Sequence, residues 1–253
     1  VVNVDMTFYQ GDPTSDARDY YKPVAVTQAL AALQPHNTFT ADVSSRAFSG
    51  RAAKTYLCFF VDESCYGNRL FGIAFGDLFL YHSDTLLQDL EGNGDYEVPV
   101  FAYNVSDDLT GGLLGFADDN WADGTQSYVF GFLSPLLRSL GYGFTTTTIH
   151  EVGHHLGMSH PHDGYDYELD LDYGGAGDFY FSWSGDESNS IMHYLDLSTG
   201  FSQFDRDNMN RWMTATYINQ ANTVLARVYK SPRVSQQATA LLAADARAAQ
   251  ALT

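Results

Sequence analysis

Lysine is nearly missing from this chain. Among 253 residues it occurs only at Lys22, Lys54 and Lys230, and all basic residues together number 13 against 31 acidic ones. The formal net charge of −18 argues against nucleic acid or anionic lipid as a partner, because neutralising phosphates needs clustered cations. No apolar run reaches the roughly 18 residues that a membrane span needs. Cysteine is confined to Cys58 and Cys65, separated by F-F-V-D-E-S. Such a pair in a secreted chain reads as one disulfide closing a small loop, with two buried free thiols as the alternative. No charged-then-apolar leader stands before Val1, so the expectation is a secreted, extracellular chain without its signal and propeptide, whether cleaved or left out.

What is there fits an ordered globule. Hydrophobic residues make up 45% of the chain and aromatics 15%, enough for a sizeable core in a single domain with, at most, a small appendage. The acid is nearly all aspartate, 25 of the 31 acidic residues. A soluble surface kept monomeric by its charge is the plain reading, and adaptation to acid or high salt fits as well.

The stretch from Ile149 to His162 reads I-H-E-V-G-H-H-L-G-M-S-H-P-H. Within it His150, Glu151, His154, Gly157 and His160 spell H-E-x-x-H-x-x-G-x-x-H. Helical residues four apart share a face, so His150 and His154 address one point. Gly157 lets the backbone take a positive φ and leave the helix, which brings His160 back as a third nitrogen. Three neutral imidazoles with one open position describe a catalytic zinc site, where the metal lowers the pKa of its water to about 7. Glu151 sits one step round from His150, placed to act on that water without ligating the metal. His155 and His162 fall outside the set and read as surface or supporting residues. The cysteines are not needed as ligands, since the histidines already supply the protein's share.

With these residues the chain resembles the metzincin metalloendopeptidases, which pair the long zinc motif with a methionine-containing turn beneath the metal. Here that turn is Ser190-Ile191-Met192-His193-Tyr194, with Met192 thirty-two residues beyond His160. The S-I-M-H-Y wording is similar to the astacins. Pro161, after the third histidine, is similar to the serralysins, although no array of G-G-x-G-x-D repeats follows. The resemblance implies an α+β fold, with a twisted mixed sheet and its backing helix over an active-site helix (1–157), a smaller lower subdomain with a C-terminal helix (158–230), and an appendage (231–253). It also implies that a polypeptide substrate docks along the sheet's edge strand, that Met192 is structural, and that Tyr194 can approach the metal or the oxyanion.

Residues 1–9 alternate as a half-buried strand, and Pro23 opens a helix through Leu33. Strand-like runs follow at 56–61, 70–75, 78–82 and 98–103, and either 113–116 or 127–132 supplies the sheet edge. A short helical piece begins at Ser134-Pro135. The zinc helix starts near Phe144, and Thr145 to Thr148 are weak helix formers, so burial rather than propensity must hold it. Residues 162–172 are acidic. Calcium is one reading, but Leu171 stands where an EF-hand needs glycine, and the acid–apolar alternation fits a solvated strand equally. Residues 204–229 form an amphipathic helix expected to pack its apolar stripe into the core, and 238–252 an alanine-rich one.

The chemistry expected is zinc-dependent hydrolysis of internal peptide bonds with Glu151 as general base. A catalytically silent metal-containing binding or adhesion module is the alternative, against which the retained Glu151 counts.

Overall fold

Strand β1 (Val2–Gln10) runs inside a five-stranded mixed sheet of an α+β fold. The computed structural model describes residues 1–60, 96–105, 113–117, 127–130, 143–158, 160–161, 189–193 and 198–230, with isolated positions at 136, 139–140, 240, 242–244 and 247. A 3₁₀ turn (Ala17–Tyr20) follows β1 and leads into helix α1 (Pro23–Leu33), which returns the chain to β2 (Phe39–Ala47). Helix α2 (Gly50–Phe60), β3 (Tyr96–Asn104), β4 (Gly115–Ala117), β5 (Ser127–Phe130), α3 (Phe144–His155) and α4 (Gln203–Tyr229) complete the described elements. The strand order is β2-β1-β3-β5-β4. All neighbours are parallel except β4, which pairs antiparallel with β5 at the edge, Gly115 opposite Val129. Of the two segments considered for the edge, β4 occupies it and β5 lies inside.

Alternation in β1 sends Val2, Val4, Met6 and Phe8 to one face of the sheet. There they join Val98, Val100, Val129, the buried face of α1 (Val26, Leu30, Leu33) and Phe144, Ile149 and Val152 of α3 in one core. Phe8 meets Tyr21 and Phe144 edge-on, each with ring centroids 5.4 Å apart. The expectation of a half-buried β1 needs correcting, because its other face is covered too. Tyr9 joins Phe101, Tyr103, Tyr128, Phe130 and Tyr56 in a second, largely aromatic cluster, and Asn3 and Thr7 are also buried. The Asn3 amide donates to Asp42 and Glu97 on the flanking strands and accepts from Thr40.

The segment read as a strand at 56–61 is helical through Phe60, within α2. Ala52, Thr55 and Tyr56 are buried at i, i+3 and i+4, the spacing of a helix face. The Tyr56 ring lies 5.0 Å from Tyr103 and 4.7 Å from Phe60. The bulky run looked strand-like because aromatic packing onto a sheet favours the same residue types that strands do. Strand β2 is absent from the expected runs: its apolar alternation stops after Phe39, Ala41 and Val43, and the strand is exposed from Asp42 onward.

Helix α1 begins at Pro23 as expected, and α3 begins at Phe144. The Leu140 amide donates to the Leu136 carbonyl, one helical turn within the expected 134–141 piece. Helix α4 spans the expected residues, but its apolar stripe is not buried throughout. Asp205, Asn208 and Met209 are buried, whereas Ile218, Leu225 and Val228 are half-buried and Ala221 is exposed. A 27-residue helix is roughly 40 Å long, longer than the layer it packs against. No helix among the described residues is long and apolar enough to cross a membrane. The runs at 70–75 and 78–82 and the acidic stretch 162–172 with its calcium reading lie outside the described residues. So does Cys65, the second half of the expected disulfide; Cys58 is buried on α2.

Phe8 joins the sheet to the zinc-motif helix through Phe144, so truncating it opens a cavity at that junction. Phe8→Ala is expected to cost about 3–5 kcal/mol in denaturant unfolding; a loss under about 1 kcal/mol would show that the junction repacks freely.

Candidate metal centre

Four threonine-rich residues begin α3, and tertiary partners compensate for their weak propensity. Thr145 Oγ1 accepts from the Lys22 amide and donates to the Tyr20 carbonyl, tying the helix start to the turn before α1. Thr148 donates back to the Phe144 carbonyl, and Thr145, Thr147 and Thr148 are buried. At the other end Gly157 has φ +92°. Its amide donates to the His154 carbonyl, and the Met158 amide donates to the Gly153 carbonyl. These two bonds are the paired closures of a glycine-terminated helix end, and the turn they make redirects the chain so that His160 faces the helix.

The result is a close triangle of ring nitrogens. His154 Nε2 lies 3.1 Å from His150 Nε2 and 3.0 Å from His160 Nε2, and His160 Nε2 is 3.3 Å from His150 Nε2. The contact between His150 and His154 has the length of a hydrogen bond, but the other side of each ring says otherwise. His150 Nδ1 is 2.7 Å from the Ile191 carbonyl, and His154 Nδ1 is 2.8 Å from the Met158 carbonyl. A carbonyl only accepts, so each Nδ1 carries the proton and each Nε2 presents a lone pair. Lone pairs aimed at one another at this distance repel unless a cation lies between them. A tetrahedral ion with metal–nitrogen bonds of about 2.0–2.1 Å sets its ligand atoms about 3.3 Å apart, close to the triangle observed. His150, His154 and His160 form the group that could hold a metal such as zinc among the described residues, and the carbonyls behind two of them orient the rings as partners of metal-bound histidines do.

Below the triangle sits the turn at 190–193. Met192 is fully buried, and its sulfur packs against α3 where Gly153 has no side chain: a β-carbon there would stand 2.6 Å from Met192 Sδ. The turn is itself held from α4. Asp205 accepts from the Ser190 hydroxyl at 2.6 Å and from the amide and hydroxyl of Ser202. Ser190 Oγ in turn accepts from the Met192 amide at 2.9 Å, and the Ile191 amide donates to the Gly200 carbonyl. Asp205 therefore caps α4 and anchors the turn whose carbonyl orients His150. Burial pushes its carboxyl upward, opposed by these hydrogen bonds. The sequence carries a partial signal for it, the S-x-x-D spacing of Ser202 and Asp205 at a helix start.

Glu151 is buried, and its backbone carbonyl accepts from Ser127 Oγ on β5. Of the two readings for His155, surface or supporting, the surface one falls: the ring is buried, outside the triangle, 3.2 Å from the Tyr96 hydroxyl. Burial lowers its pKa to about 4, so it packs as a neutral ring. Tyr194 and His162 lie outside the described residues.

His160→Ala is expected to abolish most zinc binding, since two imidazoles leave the ion under-coordinated. Metal analysis showing one zinc per chain in that variant would remove His160 from the set. Asp205→Ala leaves the Ser190 hydroxyl and the Ser202 amide without their buried acceptor, with an expected loss of about 1–3 kcal/mol in denaturant unfolding. A midpoint equal to the parent's would show that the turn is held by other means.

No protein-family model matches the chain, and no curated protein matches it either.

Proposed function

We propose that the chain is a zinc-dependent endopeptidase of the metzincin type, acting outside the cell on internal bonds of polypeptides. The observation that carries this reading is the triangle of three imidazole nitrogens, all within 3.3 Å, with Glu151 following its first member in sequence. Two further features support it. Met192 of the S-I-M-H-Y segment packs its sulfur against Gly153 of the histidine helix. The antiparallel edge strand β4 borders that same helix, where an extended peptide could add as a further strand.

His150, His154 and His160 would hold the zinc ion, which when bound would supply Lewis acidity toward water and a carbonyl oxygen. Glu151, not needed as a ligand, takes a proton from the attacking water and returns it to the amine nitrogen as the peptide bond breaks. One water is consumed, leaving a new carboxylate and a new amine. Met192 fixes the floor beneath the imidazoles through packing and has no chemical part. Tyr194 is assigned a hydrogen bond to the carbonyl oxygen in the transition state.

Incubation with an unstructured polypeptide, with and without a chelator, tests the activity, and mass spectrometry of the products locates the bonds cut. Glu151→Ala is expected to keep its zinc and its fold while losing roughly 10²–10⁴-fold in turnover. Turnover within a few-fold of the parent would assign the base elsewhere.

A further inference from the structure

Strand β4 meets α3 at Gly115, and the contact leaves no room for a side chain. A β-carbon on Gly115 would stand 2.6 Å from Glu151 Oε1, 2.6 Å from the Tyr128 carbonyl oxygen and 2.8 Å from Thr147 Cγ2. Gly115 is not among the glycines with positive φ, which are Gly50, Gly143 and Gly157, so its backbone does not require glycine. Space is the requirement.

The three neighbours differ in how they can yield. Tyr128 O is backbone of β5, paired with β4 in the sheet. Thr147 is β-branched on a helix, where its χ1 is restricted. Glu151 Oε1 is the end of a side chain with three rotatable torsions. Thr147 and Glu151 are four apart and share one face of α3, so the bare Cα of Gly115 lies over that face with the carboxylate at its end. A methyl group there would press on all three, and the carboxylate is the one that can turn away from it.

We infer that Gly115 is a positioning residue for Glu151, its missing side chain allowing the edge strand to lie directly against the carboxylate and fix where it points. The catalytic consequence rests on the proposed role of Glu151 as base; the steric coupling of the two residues does not. A displacement of about 1 Å in a reacting group can cost on the order of 10²-fold.

The test is a double-mutant cycle of Gly115→Ala with Glu151→Ala in the zinc-loaded protein. In the parent, Gly115→Ala is expected to lower kcat about 10–10²-fold with zinc content unchanged, and in the Glu151→Ala background to cause no further loss. The thermal midpoint supplies a readout independent of activity: Gly115→Ala should lower it more in the parent than in Glu151→Ala, where the carboxylate is gone. Should Gly115→Ala fail to fold while the double variant folds, the coupling is supported; should both fail, the clash is with β5 or Thr147 and the inference falls. Equal midpoint shifts in the two backgrounds, or unchanged kcat in Gly115→Ala, overturn it as well. Absence of any hydrolysis by the parent would sink the peptidase reading and leave the midpoint comparison to decide the coupling.

Discussion

Three imidazole nitrogens are held about 3 Å apart, two of them unable to donate to one another, and most of what surrounds them serves to keep them so. Left to themselves the rings would turn to find donors. Two carbonyl oxygens prevent this for His150 and His154, and each is delivered by a different device. Met158 offers its carbonyl because the glycine-terminated end of α3 curls back on itself. Ile191 offers its carbonyl because Ser190 and Asp205 fix the turn that contains it. The first device is local to the motif, and the second reaches across to the start of α4.

The helix carrying the motif is a poor helix by itself. Threonines fill its first turns, and a glycine in mid-helix, Gly153, costs up to about 1 kcal/mol relative to alanine. Both concessions are explained by contact. The threonines are buried against the sheet and the turn before α1. Gly153 admits the Met192 sulfur on one side, and Gly115 of β4 admits the Glu151 carboxylate on another. Helix α3 is thus held where neighbouring groups can come within a side chain's width of its backbone, and tertiary packing does what propensity does not.

This separation decides how much could be read from sequence. The three histidines, Glu151 and Gly157 lie within eleven consecutive residues, His150 to His160, so helical spacing and one glycine turn bring the histidines together. Helix starts at Pro23 and near Phe144 were also legible, through the proline and the apolar pattern. What failed was whatever depends on partners remote in sequence. Strand β2 has little apolar alternation beyond Phe39, Ala41 and Val43 and is largely exposed, and its nine paired positions on β1 hold it in the sheet. Helix α2 was taken for a strand because Tyr56 and Phe60 face aromatic residues of the sheet. For His155 the sequence leaves surface and supporting positions both open, because being off the ligand face does not distinguish a solvated side from a second buried one, and Tyr96 lies fifty-nine residues away. Gly115 and Asp205 carry no spacing that marks them as part of the site.

The two classes of residue also bear differently on stability. Facing lone pairs on His150 and His154 are unfavourable by themselves, and a cation bound between them would bring relief and stabilise the folded state by mass action. That relief is not confined to the three histidines. The ring of His150 is tied to Ile191, the turn at 190–193 to Asp205, and Asp205 to the first turn of α4. Fixing the metal therefore favours the arrangement in which α4 is capped and the turn is closed. Conversely, loosening the α4 cap lets the Ile191 carbonyl drift and frees the ring it orients. The setting of the three imidazoles thus belongs to the tertiary structure as much as to the motif, and the carboxylate of Asp205, which touches none of them, is tied to His150 through Ser190 and the turn that carries the Ile191 carbonyl.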